Sequence, residues 1–276
     1  MNFAIFNAIM HKCRMSKKGG GEEMEYQLLM CTAICAGELL LKSGAETYRA
    51  EDTMNHILKT SGCEYIEVHA TITGIMATLY DSAMSQPVTM ISRVKKRGMH
   101  LYKIVRVNDI SRRYCGGEIT LQEAYDALQK IGSDLYRQGT KSISTMMIVT
   151  GFTLMFGGGW MEVLASLCVG GVLAGMIQFC DHLHTNVIIQ DIISALALGA
   201  AALLLKHTVF LTMNLEAVII GAIMPLVPGV AITNAVRDTL QGDYVSGCAR
   251  ILEAFLKAAA IAIGVGAAMA LSSYLP

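Results

Sequence analysis

Apolar residues recur at helical spacing from Met24 to Leu41, and Ser43-Gly44 ends the run, predicting a first helix over 24–41. A second helix is predicted from Ala45 to Lys59, with Gly62 just beyond it. The period then drops to two. Tyr65 to Thr73, Ile75–Tyr80, Pro87–Val94 and Leu101–Val107 alternate apolar and polar positions, which predicts four strands of an antiparallel sheet. Lys95-Lys-Arg-Gly98 reads as a polar hairpin turn between the last two. A further helix is predicted over Leu121 to Ile131, behind Thr120 with Glu123 three residues later, the pattern of a capping box.

Beyond Lys141 the pattern changes. Residues 142–161, 163–180, 217–236 and 258–276 carry no charge, in windows of 20, 18, 20 and 19 residues. About 20 residues at 1.5 Å each cross ~30 Å of hydrocarbon. A fifth apolar segment, Val187 to Leu205, holds one acid, Asp191. The expected fold class is therefore an α+β cytoplasmic N-terminal domain followed by an all-α polytopic membrane domain of about five transmembrane helices. The expected divisions are a disordered extension over 1–23, the α+β domain over 24–141 and the membrane domain over 142–276. Small residues punctuate the apolar windows, and Ala260, Gly264 and Ala267 share one face of the last, a pattern suited to close helix packing in lipid.

Charge supports the division. Residues 1–141 hold 18 basic and 15 acidic side chains, leaving 4 and 7 for the remaining 135 residues, too few to cover a water-facing surface. The totals balance at 22 and 22, so nothing in the total suggests nucleic acid, and none is expected as a partner. The eight cysteines lie scattered without a C-x-x-C pair, the usage of small buried thiols rather than zinc ligands. The short run Phe3 to Met10 has its basic residues after it, the reverse of a secretory signal. The N-terminal domain is thus expected to stay in the cytoplasm, with Arg137 and Lys141 just inside the first span, Arg237 and Arg250 on an inner loop, and the C-terminus outside.

Candidate chemistry is concentrated in the apolar half. Pro225 and Pro228 lack amide donors and break a helix, and the segment restarting at Gly229 offers amides and a positive dipole end to a substrate carboxylate. An ordinary proline kink is the alternative. Pro225, Pro228, Gly229 and Asn234 form the candidate substrate-binding set. Asp191, an acid in a membrane helix, is the candidate for coupling, with an interfacial cap as the alternative. Arg250, Glu253 and Lys257 share a helix face, where Glu253 to Lys257 is the favourable order for an ion pair. Arg237, Asp238 and Asp243 complete the coupling and gating candidates, against a reading as solvated loop residues. Asp181-His-Leu-His184 reads as an interface marker rather than a metal site, and neither metal nor cofactor is expected. Glu38, Glu46, Arg49 and Glu51 read as charged helix faces rather than a catalytic cluster. With no G-x-S-x-G, P-loop or H-E-x-x-H, the chain is expected not to be an enzyme.

The stretch Gly37 to Asp52 resembles the start of the threonine/serine exporter family, and Thr71-Ile-Thr-Gly74 resembles its next block. Pro225-Leu-Val-Pro-Gly229, Asn234-Ala-Val-Arg-Asp238, Gly242-Asp243, Ser246-Gly247 and Arg250 through Glu253 resemble its most recognisable run. The resemblance implies a cytoplasmic domain joined to a membrane domain that exports small metabolites across the bacterial inner membrane. Full-length members carry twice the spans predicted here, so the chain is most similar to the large subunit of the split form, as in the pair known for succinate export. The implied substrates are threonine and serine or dicarboxylates such as succinate. The implied partners are a small hydrophobic second subunit, the substrate and the lipid bilayer, with homo-oligomerisation left open. A membrane-anchored regulatory or scaffolding protein is the alternative function.

Overall fold

A computed structural model of the protein describes residues 21–82, 84–95, 97–131 and 138–272. The expectations for residues 1–20, Arg137 and 273–276 lie outside the described residues. The chain divides into two compact units, one of residues up to Ser133 with Asn234–Ala249, the other of Asp134–Thr233 with the residues from Arg250 on.

The first unit is built around α1 (Gly21–Lys42), which begins inside the stretch expected to be disordered. Leu29, Met30, Ala33, Ile34, Ala36, Leu40 and Leu41 of α1 are all buried, on more than one face. A helix that is apolar nearly all round must be covered nearly all round. Around it pack α2 (Thr47–Lys59), strands β2 (Gly74–Tyr80) and β3 (Val88–Arg93), α3 (Leu101–Cys115) and α4 (Leu121–Lys130). β1 (Tyr65–Thr71) completes a three-stranded antiparallel sheet in the order β1-β2-β3, with Val68 opposite Ala77 and Ala77 opposite Met90. Val68 and Ala70, then Ile75, Ala77 and Leu79, alternate inward, as period two requires. The predicted capping box is present: the Glu123 amide donates to Thr120 Oγ1 at 3.3 Å and the Thr120 amide to Glu123 Oε2 at 2.9 Å.

The fourth predicted strand is instead helix α3. Its buried residues are Ile104, Val107, Ile110 and Ser111, a helical stripe whose second half lies beyond the window that read as alternating. Consequently Lys95, Arg97 and Gly98 lead from β3 into a helix and not into a fourth strand. The Gly98 amide donates to the Lys42 carbonyl (2.9 Å) and the Arg97 guanidinium to the Ile72 carbonyl (2.9 Å), tying the exit of the sheet back to the end of α1.

The second unit contains α5 (Gln138–Met155), α6 (Trp160–His182), α7 (Val187–Thr208), α8 (Leu215–Ile223) and parts of α9 (Gly229–Leu240) and α10 (Tyr244–Ser272). Among the described residues three helices are long and apolar enough to cross a membrane, namely α6, α7 and Tyr244–Leu271 of α10, not the five expected. The other two windows fail for identifiable reasons. Helix α5 has 18 residues and opens on the polar Gln-Gly-Thr-Lys-Ser sequence. The 217–236 window is divided at Pro225 and Pro228 into α8, of 9 residues, and α9, of 12.

Small residues set the packing of this unit. A Cβ on Gly170 would lie 3.0 Å from the Met146 Cα, and one on Gly221 2.7 Å from the Thr153 amide nitrogen. The expected seam on α10 is real at two of its three positions, since Ala260 and Gly264 are buried and Ala267 is half-buried. A Cβ on Gly264 would stand 2.6 Å from Ala195 Cβ and 2.9 Å from the Leu196 amide, so α7 and α10 meet backbone to backbone. Only 39% of the α6 and α7 windows and 28% of the α10 window are buried. The exposed remainder is apolar, including Leu164, Leu204 and Ile263, a surface suited to hydrocarbon rather than water.

Candidate functional site

Asn234, Arg237 and Asp238 fall at i, i+3 and i+4, so one face of α9 carries all three. Within the first unit that face docks on the turn between α1 and α2. Gly44, at φ +84°, ends α1 in the left-handed conformation, and its carbonyl accepts from Asn234 Nδ2 at 2.8 Å. The Arg237 guanidinium pairs with Glu46, whose side chain is buried and also lies 3.5 Å from Arg49. Asp238, fully buried, accepts from the Thr47 amide (3.3 Å) and the Thr47 hydroxyl (3.1 Å). Glu46 occupies the N-cap position of α2 without a capping hydrogen bond from its side chain. Asp238, 191 residues away, therefore supplies the anionic cap that α2 lacks locally.

The start of α10 continues this docking. Asp243 precedes Tyr244 and accepts from the Ser246 amide at 3.0 Å, while Ser246 Oγ accepts from the Ile72 amide, between β1 and β2, at 3.4 Å. Gly247 permits the close approach, since its Cβ would lie 3.2 Å from the Ala235 carbonyl. Nearby, Glu51 Oε1 accepts from the Ala70 amide at 2.7 Å and lies 3.6 Å from His69 Nδ1. Burial raises the Glu51 pKa above the ordinary carboxylate value against that amide and His69, and the Asp243 charge adds to the rise. Asp243 moves the other way. Burial opposes its ionisation, but hydrogen bonds from Ser246 and Thr47 and the field of His69 hold its pKa below normal.

In the second unit, Pro225 and Pro228 lie between α8 and α9. The chain crosses the break in tight turns, with Leu226 donating to Ile223 (2.9 Å), Val227 to Met224 (3.3 Å) and Gly229 to Val227 (2.9 Å). The Ile232 amide donates to the Pro228 carbonyl at 3.1 Å. Of the first-turn amides of α9, those of Val230 and Ala231 find no acceptor among the described residues.

Asp191 sits one turn into α7 and is 6% exposed. Its Oδ2 has no hydrogen-bond partner among the described residues, nor has the hydroxyl of Ser194, three residues on. Lys257 on α10 is the cation whose field reaches Asp191. Arg250 is buried and Glu253 half-buried on the same helix as Lys257. Glu162, also buried in this unit, is placed quite differently: its carboxylate accepts from the Gly159 amide (2.8 Å) and the Asn214 amide (2.6 Å), closing two chain turns.

The structure thus brings Asn234, Arg237, Asp238 and Asp243 together in the first unit, while in the second Lys257 reaches Asp191 through its field. Pro225, Pro228 and Gly229 form a separate feature of the second unit. The sequence model of a family described as "Putative threonine/serine exporter" matches residues 32–272. The chain belongs to this exporter family. Among curated relatives it is 19% identical over 255 residues to a Mycobacterium tuberculosis protein named "Probable threonine/serine exporter", covering 91% of this chain and 48% of that one. It is 21% identical over 254 residues to the "Threonine/serine exporter" of Corynebacterium glutamicum, covering 90% and 52%. The chain spans about half the length of the curated relatives it matches. No solved structure matches it. Exporter-family membership and the apolar helices make this a membrane protein.

For this exporter-family chain, reasoning from sequence passed over the partners within the first unit: Gly44, Thr47, His69 and the hydroxyl of Ser246. It weighed Glu46 and Glu51 only as solvated charges. Their signal was position, since Gly44, Glu46 and Thr47 all lie in the block that resembles the start of the family. Ser194 carried a weaker signal, a hydroxyl one turn from a membrane acid.

Proposed function

We propose that this chain is the large part of a secondary exporter that moves small carboxylate-bearing metabolites, threonine and serine or dicarboxylates such as succinate, out across the inner membrane. Its first unit stands in the cytoplasm, and a small hydrophobic second subunit completes the pathway. The observation that carries the reading is Asp191. A carboxylate in an apolar helix costs at least about 2.5 kcal/mol, and natural membrane helices keep such a group where it meets a pathway, a proton or a counter-ion. Here one of its oxygens and the neighbouring Ser194 hydroxyl are buried without a partner among the described residues.

Asp191, with Lys257 as its countercharge, takes up the coupling proton or orients the substrate. The unpaired Val230 and Ala231 amides, exposed by the break at Pro225 and Pro228, receive the substrate carboxylate, with Gly229 opening the turn and Asn234 following it. Arg237, Asp238 and Asp243 form the inner gate, and Arg250 and Glu253 flank it in sequence. The names of the two relatives favour hydroxy amino acids as cargo.

The test is efflux from cells expressing the chain with its partner subunit, comparing wild type with Asp191→Asn and Pro228→Ala at equal membrane abundance. Efflux should fall at least about tenfold in Asp191→Asn, equivalent to about 1.4 kcal/mol in the transport barrier. Wild-type rates in both variants would remove the proposed site.

A further inference from the structure

The first unit holds a groove of about 460 Å³ between α2 and α3, within the roughly 300–1,000 Å³ typical of small-molecule sites. The two helices bury their apolar stripes, Ala50, Met54 and Ile57 on α2 and Ile104 and Val107 on α3. Beside those stripes run two polar ones that line the groove. Arg49, Asp52 and His56 follow spacings of three and four on α2, and Asn108, Arg112 and Cys115 spacings of four and three on α3.

The charges along this groove are differently occupied. Arg49 is held by Glu46 at 3.5 Å, and Asp52 lies 3.3 Å from His56 Nδ1 at the solvent-exposed rim. Arg113, outside the groove, is taken up by Asp109 (3.9 Å) and Glu118 (3.4 Å). The Arg112 side chain has no hydrogen bond or ion pair among the described residues. Arg113 pairs along its own helix with Asp109, one turn before it. Arg112 instead leaves its five donors toward the cavity it lines.

We propose that this groove is a binding site for a small α-amino acid, separate from the transport pathway. The Arg112 guanidinium takes the ligand's carboxylate in a two-pronged contact, Asp52 takes its ammonium, and the Asn108 amide reads a polar side chain. The charge signs select the class. A phosphate or a dicarboxylate would bring its second negative charge against Asp52 with a single unpaired guanidinium in reserve. A bare amine would face Arg49 and Arg112. A zwitterion alone finds an opposite charge at both ends. The site belongs wholly to the first unit and does not depend on the role given to Asp191.

Cys115 makes the proposal testable, since this exposed thiol lines the groove. Burial raises its pKa against a hydrogen bond from Ser111, so alkylation is run at mildly alkaline pH. The full chain in detergent is treated with iodoacetamide in the presence of L-threonine, L-serine, succinate or inorganic phosphate. Labelling of Cys115 is followed by peptide mass spectrometry, with the half-buried Cys63 of the same unit as internal standard. Saturating L-threonine or L-serine should slow Cys115 labelling by about fivefold or more and leave Cys63 unchanged, a contrast expected once the site is more than about 80% occupied. Arg112→Ala and Asp52→Asn should each abolish the protection, and Arg112→Lys should restore part of it. Both positions are exposed, and an unchanged Cys63 rate certifies the fold. Absence of protection by either amino acid overturns the proposal. So does protection by succinate or phosphate alone, or protection that survives in both variants. An export defect in Asp191→Asn would leave all of these outcomes untouched.

Discussion

Asp238 and Asp191 are both carboxylates buried in helices, and their surroundings are opposite. Asp238, in the first unit, is fully enclosed, and one oxygen accepts both the amide and the hydroxyl of Thr47. Asp191, in the second unit, is almost as enclosed, yet among the described residues one oxygen accepts nothing and Ser194 beside it donates to nothing. Burial alone does not tell these two carboxylates apart, but satisfaction does. A buried acid with its acceptors filled holds two chain segments together, and removing it leaves orphaned donors. A buried acid left open is an energetic cost that folding does not recover, so it persists only where a proton, ion or ligand completes it. Glu162 confirms the distinction inside the second unit, since both of its oxygens are filled by backbone amides.

The largest effect should come from the seam that encloses Asp191. Gly264→Leu would drive a side chain into Ala195 and the Leu196 backbone, which lie under 3 Å from even a first added carbon. Overpacking costs about 1–3 kcal/mol where side chains give way, and more where backbone must move, so the variant should aggregate or elute as misassembled protein on size exclusion in detergent. A normally assembled Gly264→Leu protein would mean that Asp191 is not confined as described.

Next comes the direct comparison. Asp238→Ala removes the cap of α2 and strands two donors, and should lower unfolding stability by about 3 kcal/mol, read as increased trypsin cleavage within residues 43–60. Asp191→Asn should leave stability within about 0.5 kcal/mol of wild type, or raise it, while export falls. If the two variants were destabilised equally, the distinction between filled and open carboxylates would fail here. A smaller loss, about 1 kcal/mol, is expected for Arg237→Ala. Its guanidinium is half exposed and Glu46 keeps Arg49 as a second partner.

The two units also differ in how far a single sequence discloses them. Local signals were legible. The Thr120–Glu123 capping box, the stop at Ser43-Gly44 and the inward alternation of Val68, Ala70, Ile75, Ala77 and Leu79 are each fixed by residues within a few positions of one another. Helix α3 was misread because a seven-residue window is too short to separate the two periods, and only Ile110 and Ser111 extend the Ile104–Val107 spacing into a helical stripe. The membrane windows were overcounted because absence of charge measures compatibility with lipid, whereas prolines and polar starts decide where a helix runs unbroken. The docked face of α9 was half legible. Its spacing put Asn234, Arg237 and Asp238 on one side, but nothing near them names Gly44, Glu46 and Thr47, about 190 residues earlier, as what that side meets.

The smallest expected effect tests the docking by pH, through Glu51 and Asp243. Glu51 has a raised pKa in the folded chain, so between its ordinary value and the raised one the folded state binds more protons than the unfolded. Stability should therefore fall as pH rises through that window, the cost of ionising a half-buried carboxylate beside Asp243. Asp243 has a lowered pKa, so its contribution is complete above the ordinary aspartate value and is lost only as pH falls below it. The two windows lie on opposite sides of about pH 4, which lets one titration separate them. Glu51→Gln keeps an oxygen for the Ala70 amide but cannot ionise. Its melting midpoint should stay level from pH 4.5 to 7, where wild type declines by a degree or two, about the shift expected for a few tenths of a kcal/mol. Below pH 4 both proteins should lose stability together, because Asp243 titrates in each. An equal slope for both proteins above pH 4.5 would show that Glu51 stands in water, and that the start of α10 does not close over β1 as the Ile72–Ser246 hydrogen bond requires.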